Sequence, residues 1–212
     1  MPAFDDSVRG THPEDYQLLI NGHVHFYRHR WALDRLQADL GSLGYVLITA
    51  DLSSCKDPNA VRKAVISATP GWPEGYGRGS WAGFIDGLTD HLLNADRHQV
   101  VLTLACWGQA HRTRGTEAWA LLDHLAGAGR WHLLFGRQLI CLIENDDPDL
   151  ELPAFGAEYA GWNRHEWFDR HRRGEIVPPW IEISGIEDDS LSPRTVIGTS
   201  AQPASQADAC TA

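Results

Sequence analysis

Two aspartates one helical turn apart are the clearest candidate functional groups in this sequence. Asp86 and Asp90 follow Ser80, a residue type favoured at helix N-caps, and their spacing puts both on one helix face. Ala82 and Gly83 precede them and are small, so a partner could come close to this face. Carboxylates beside small residues suit a basic protein pocket, because charge pairs that lose water on binding dominate many interfaces. A solvated helix face is the alternative interpretation.

The stretch before this helix cannot form regular structure. Residues 69–79 contain two prolines and four glycines, and Trp72 and Tyr76 lie among them. Proline stiffens such a loop, glycine allows close approach of another backbone, and aromatic rings often anchor interfaces. We therefore expect residues 72–90 to form one binding surface.

Two groups of metal-ligating residue types are present but incomplete. His23 and His25 alternate on a predicted strand and would lie on one side of it, yet two imidazoles do not complete a zinc site. An acidic group follows the last predicted strand: Glu144, Asp146, Asp147 and Asp149. Its spacing matches no ion-binding loop, so we expect a solvated turn, although oxygen-rich clusters can bind calcium or magnesium.

Motifs of common catalytic sites are missing from the sequence. It contains no GxSxG motif, Walker loop or dinucleotide fingerprint. The four cysteines are single, without a CxxC pair, and Cys106 and Cys141 lie in apolar runs where they should be buried and inert. The sequence therefore predicts a protein that is not an enzyme and binds no metal or cofactor.

Composition narrows the class of partner. The 212 residues include 28 acidic side chains against 18 lysines and arginines, a net charge of −10. This balance argues against nucleic acid and anionic membranes as partners and permits a basic protein partner. No window approaches the ~20 apolar residues of a membrane span, and the N-terminus lacks the pattern of a signal peptide. We expect a cytoplasmic protein with reduced thiols.

The elements that would position these residues alternate along the chain. Asn21-Gly22 between two apolar runs predicts a β-hairpin over residues 16–27. Further strands are predicted at 45–50, 100–106 and 139–143, and helices at 33–43, 57–68, 80–94 and from Thr116 onward. Asp57 is the expected N-cap of the second of these helices. Strands separated by helices predict an α/β fold with a small, mostly parallel sheet.

One helix face should point to the core. Trp81, Ile85, Leu88 and Leu92 share a stripe at helical spacing, on a different face from the two aspartates. We expect a flexible arm over residues 1–15, one α/β domain over 16–150, an extension over 151–184 that packs on the core, and a disordered tail over 185–212. A short amphipathic helix is predicted at 162–168 in the extension.

The segment 70–88, PGWPEGYGRGSWAGFIDGL, resembles the binding segment of barstar-like proteins. The order of elements, with a glycine-aromatic loop between two helices, is also similar, and residues 120–143 are similar to longer actinobacterial members of this family. The resemblance covers about residues 16–150. It implies a barstar-like fold with an added N-terminal hairpin and helix and a C-terminal extension.

The resemblance also implies a function. Barstar-like proteins include intracellular inhibitors whose acidic helix blocks the active site of a ribonuclease. Tyr76 and Gly77 match the family pattern, and Asp86 matches an aspartate that resembles a phosphate mimic for arginine and histidine side chains. Gly75, Ala82 and Ile85 depart from it, standing where the family has a tyrosine, an aspartate, and an aromatic residue or asparagine.

The expected activity is therefore that of an immunity protein or antitoxin. It would bind a basic ribonuclease or related toxin 1:1 and block its active site with residues 72–90. The predicted partner-binding residues are Trp72, Tyr76, Gly77, Arg78, Ala82, Gly83, Asp86, Asp90 and Asp123, the last as the nearest match to an acidic residue late in the family's next helix. Two alternatives stay open: a non-inhibitory interaction module or regulatory subunit that uses the tryptophan-rich extension, and a metal-dependent enzyme that uses Asp146 and Asp147.

Overall fold

A parallel β-sheet forms the centre of the structure. The computed structural model describes residues 4, 6–7, 14–57, 59–94, 96–156 and 161–174. The elements in chain order are α1 (Glu14–Leu19), β1 (Val24–Tyr27), α2 (Arg30–Ser42), β2 (Val46–Asp51), α3 (Ala60–Ala68), α4 (Trp81–Gly87), a π-helical turn (Leu88–Leu92), β3 (Gln99–Ala105), α5 (Trp107–Leu133), β4 (Gln138–Glu144), β5 (Gly161–Trp162) and α6 (Asp169–Arg172).

The sheet has the strand order β2-β3-β4-β1-β5, and every pair of neighbours is parallel. The predicted α/β class and parallel sheet are confirmed. Strands β3 and β4 lie in the middle, and their continuous apolar runs are buried on both faces, as helices covering both sides of a parallel sheet require.

Helices cover the two faces of the sheet and make two cores. On one face, Leu18 of α1 and Leu33 and Leu40 of α2 belong to a core that includes Val101 of β3. On the other face, α3, α4 and α5 bury a larger core around Leu102 and Trp107. Burial of a leucine or similar side chain contributes roughly 1.5–3 kcal/mol, so these layers supply most of the apolar stabilisation.

The predicted N-terminal hairpin is wrong. Residues 14–19 form helix α1, and Asn21-Gly22 closes that helix with backbone bonds from the Asn21 and Gly22 N–H groups to the carbonyls of Leu18 and Leu19. Periodicity cannot distinguish a helix from a strand in a run of five mostly apolar residues. Here the helical conformation buries Leu18 and Leu19 beneath α2. The next strand, β1, pairs in parallel with β4 instead.

The N-terminal arm predicted at 1–15 overlaps this helix. Glu14 and Asp15 belong to α1, and Asp15 is buried with its Oδ2 accepting a hydrogen bond of 3.0 Å from the Tyr45 hydroxyl. Phe4 lies edge-on to the Tyr16 ring with centroids 5.1 Å apart. Residues 1–3, 5 and 8–13 of the arm lie outside the described residues, as do 175–212, which include the predicted tail.

Strand β2 lies at the edge of the described sheet, although the continuous apolar run at 45–50 predicts a buried strand. Among the strands that the structure describes it pairs with β3 alone, and Val46 and Leu47 are exposed. Position in the sheet, and not composition, determines whether both sides of a strand are covered.

Two helix starts also differ from prediction. The N-cap of α3 is Asn59, because the Asp57 side chain accepts the Asn59 N–H at 2.8 Å in a turn before the helix; Pro58 lies outside the described residues. Helix α5 begins at Trp107, well before Thr116, with a break in helical geometry at Arg114. It then continues without interruption to Leu133.

The C-terminal segment adds to the sheet. The helix predicted at 162–168 is wrong: Gly161 and Trp162 form β5 beside β1, and the short helix α6 starts at Asp169. Glu166 is fully buried there, and its carboxylate accepts the backbone N–H groups of Arg28 and His29 at the start of α2. Within the described ranges, no helix is both long and apolar enough to cross a membrane.

Candidate functional site

Helix α4 begins where the sequence predicts. The Ser80 hydroxyl accepts the Gly83 backbone N–H at 3.1 Å, which satisfies one of the N–H groups that a helix start leaves without a partner. This cap fixes the direction in which the chain leaves the glycine-rich loop.

The core-facing stripe of α4 differs from the predicted one. Phe84 is fully buried, with ring centroids 5.8 Å from Trp72 and 5.7 Å from Trp81, whereas Ile85 is 37% exposed. The large Phe84 ring fills the space between the two tryptophans and therefore sets the rotation of the helix. Ile85 is turned outward to the same side of α4 as the exposed Asp86.

Trp72 anchors the loop to the helix. Its indole Nε1 donates to the Tyr76 carbonyl at 3.0 Å, and its ring stacks on Phe84 with planes inclined by 23°. A Cβ at Gly87 would overlap the Trp72 ring. The Trp72 ring therefore occupies the space that a side chain at Gly87 would fill, and we call this space the Gly87 slot. Trp72 is half-buried, and its contacts hold the loop together.

Gly77 and Gly83 bring the loop backbone onto the helix. Gly77 has a φ of 72°, and a Cβ at this position would lie 2.9 Å from the carbonyl oxygen of Gly83. Both glycines were predicted as contacts for a partner, and the structure gives them a second role, the close packing of loop against helix.

The exposed part of the site combines aromatic, apolar and acidic groups. We call Tyr76, Ala82, Ile85, Asp86 and Asp90 the loop–helix surface. The Tyr76 ring is 38% exposed and meets the His91 ring edge-on at 5.5 Å. Asp86 and Asp90 are exposed, and neither forms an ion pair or hydrogen bond with the described residues.

Two predicted partner-binding residues, Arg78 and Asp123, do not belong to the loop–helix surface. Arg78 is half-buried in the loop. Asp123 lies on α5, where its Oδ1 accepts the Gly156 backbone N–H at 2.6 Å and its Oδ2 lies 3.9 Å from His124 Nδ1. Asp123 therefore holds the 150–156 segment against α5, and no described contact joins it to Asp86 or Asp90.

A π-helical turn at the end of α4 is a feature that no pattern in the sequence predicts. His132, buried in α5, bonds through Nε2 to the Leu88 carbonyl at 2.9 Å. Arg97 donates to the carbonyls of Pro70 and His91, at 3.1 and 2.6 Å, and so ties loop and turn together. Burial lowers the pKa of His132, so this imidazole is neutral at pH 7 and Nε2 is the donor.

The histidine and acidic groups do not assemble a metal site. His23 precedes β1 and lies against Gly129 of α5, whereas His25 faces α1 on the other side of the sheet, so the predicted shared side is wrong. Asp146 pairs with Arg112 at 2.6 Å, and Glu144 accepts the Cys106 N–H at 3.0 Å. Among the described residues, no group of three or more ligating side chains could hold a metal ion.

Comparisons of the chain with protein-family models, with curated proteins and with solved structures found no match.

Proposed function

We propose that this chain is a barstar-like inhibitor, an immunity protein or antitoxin that binds a basic ribonuclease or related toxin through the loop–helix surface. The observation that carries the proposal is a pair of exposed carboxylates without ionic partners among the described residues, Asp86 on α4 and Asp90 on the π-helical turn that follows it. A guanidinium or imidazole of a partner would find these acceptors ready for charge-assisted hydrogen bonds.

Rigidity of the surface supports this role. The Ser80 cap, the Trp72 ring in the Gly87 slot and the Arg97 bonds to Pro70 all restrain the loop before a partner arrives. Because less conformational freedom is then lost on association, more of the contact energy is kept as affinity.

Exposed apolar groups complete the surface. Tyr76 and Ile85 flank the carboxylates and are each more than one-third exposed. Aromatic and apolar anchors around desolvated charges are the usual composition of binding hot spots. Ile85 stands where the family resemblance has an aromatic residue or asparagine, and its outward orientation supports a contact role there.

A titration tests the proposal. A small basic microbial ribonuclease is assayed against the full chain, Asp86→Asn and Asp39→Asn, the last removing an exposed aspartate from α2 on the opposite face of the sheet. We expect stoichiometric inhibition by the wild type and by Asp39→Asn. Asp86→Asn should weaken binding by about 2–5 kcal/mol, roughly 30- to 4,000-fold in Kd.

The same titration separates the alternatives. Binding without inhibition would favour a non-inhibitory interaction module, and inhibition that is equal in wild type and Asp86→Asn would place the interface elsewhere. Association should slow as salt is raised from ~0.01 to ~0.15 M, because screening shortens the reach of the net negative charge.

A further inference from the structure

A cavity of about 640 Å³ lies on the face of the sheet opposite to α4. Helices α1 and α2 form two of its walls, and its floor is made by His25 and Tyr27 of β1 and Gly161 of β5. Small-molecule sites in proteins have volumes of roughly 300–1,000 Å³. The loop–helix surface contributes no residue to this cavity, so a ligand here is independent of the proposed inhibitor function.

One glycine on the cavity floor, Gly161, has free space next to it. Gly161 pairs with His25 in the parallel register, so side chains at both positions point to the same face of the sheet. A Cβ built at Gly161 meets no atom of the described residues within 4 Å, and the backbone there is not in the left-handed region. A larger side chain at this position would enter the empty space without strain.

Tyr27 offers a hydrogen-bond donor on the same floor. The residue is 3% exposed, but its hydroxyl is not fully enclosed, forms no hydrogen bond with any described residue and borders the cavity. Burial, reinforced by the negative charge of Glu14, raises the pKa of Tyr27, so the phenol keeps its proton. A ligand atom that accepts from the Tyr27 hydroxyl would form a hydrogen bond that the described residues do not supply.

The rim of the cavity is aromatic. Trp31, Trp167 and Phe168 line it and are 41%, 64% and 63% exposed, far more than rings that serve a core. Flat ring systems stack well on such side chains. Three exposed aromatic residues around one opening indicate a planar ligand.

Among the described residues, the charges that line the cavity balance. Glu14 and Asp39 face Arg35 and Arg164, and Glu14 Oε2 lies 3.0 Å from an Arg164 nitrogen. Burial lowers the pKa of His25 to about 4, so this imidazole is neutral at pH 7. The described lining therefore has no excess of either sign that would attract a phosphate or a cation.

We propose that this cavity binds a neutral, planar heteroaromatic molecule of nucleobase size. One ring edge accepts the Tyr27 hydroxyl proton, a neighbouring ring N–H donates to the Glu14 carboxylate, and the ring faces stack against the aromatic rim. A purine base has both a ring acceptor and an N–H within one molecule of this size.

Calorimetric titration of the full chain with adenine tests the proposal. We expect saturable binding by the wild type, loss of binding in Gly161→Leu, and a roughly three- to ten-fold weaker Kd in Tyr27→Phe, which removes one hydrogen bond. The matched control is Gly127→Leu on α5, where an added Cβ also meets no atom within 4 Å and no part of the cavity is touched.

Thermal unfolding of each variant checks that it is folded before its binding is interpreted. Absence of adenine binding to folded wild type, or undiminished binding to Gly161→Leu, would overturn the proposal. Adenosine monophosphate serves as a charged comparison: tighter binding than that of adenine would contradict a neutral ligand, and equal or weaker binding would support it.

Discussion

Replacing Gly77 with alanine would disturb the packing of the loop against α4. Gly77 has a φ of 72°, where a residue with a side chain costs about 1–2 kcal/mol. The added Cβ would lie 2.9 Å from the Gly83 oxygen and 3.0 Å from the Phe84 Cα, backbone atoms that cannot rotate away. Overpacking of this kind costs typically about 1–3 kcal/mol. The two effects together predict that Gly77→Ala lowers the free energy of unfolding by about 2–5 kcal/mol.

Gly75→Ala is the matched control. Gly75 has nearly the same φ, 75°, but its added Cβ meets no atom within 4 Å, so only the conformational cost of about 1–2 kcal/mol applies. Urea unfolding followed by circular dichroism gives the free energy of unfolding, and limited proteolysis of residues 69–79 reports local release of the loop. Equal stability and equal protease resistance in the two variants would refute the close approach of Gly77 to Gly83 as the reason for glycine there.

Two further predictions concern the buried parts of the structure. Gly87→Ala would push the Trp72 ring out of its place against Gly87. We expect a red-shifted tryptophan emission and a free energy of unfolding, measured with urea, that is lower by about 1–3 kcal/mol. The control Gly127→Ala adds a Cβ in open space and should show neither effect. His25 has a pKa lowered by burial to about 4, so the unfolded chain binds the extra proton first, and stability should fall as pH drops from about 6.5 to 4. His25→Asn should flatten this pH dependence of the free energy of unfolding. The control His98→Asn, at an exposed residue, should leave it unchanged. Equal slopes in the two variants would contradict the assignment of the pH dependence to His25.

Agreement between the predictions and the structure is closest where a short stretch of chain determines its own conformation. The apolar runs at 100–106 and 139–143 form β3 and β4, because residues that are apolar at every position require cover on both faces. Ser80 caps α4 because its hydroxyl reaches an N–H only three residues away. The alternation of these elements was sufficient to predict the α/β class.

The candidate site was predicted only in part. Asp86 and Asp90 are both exposed, Asp86 on α4 and Asp90 on the π-helical turn that follows it. The burial of Phe84 and the exposure of Ile85 depend on two tryptophans from outside the helix, and the engagement of Asp123 depends on Gly156, 33 residues further along the chain. Such contacts leave no periodic signal in the sequence.

Sequence by itself determined the parallel α/β class, the N-cap of α4 and the spacing of the two aspartates, because each rests on local periodicity or on a bond between near neighbours. Only the tertiary structure decided that residues 14–19 are helical, that β2 lies at an edge and that Gly161 opens a cavity beside Tyr27. The physical reason is that short apolar runs satisfy several conformations equally, and the choice among them is made by distant side chains that compete for the same buried space.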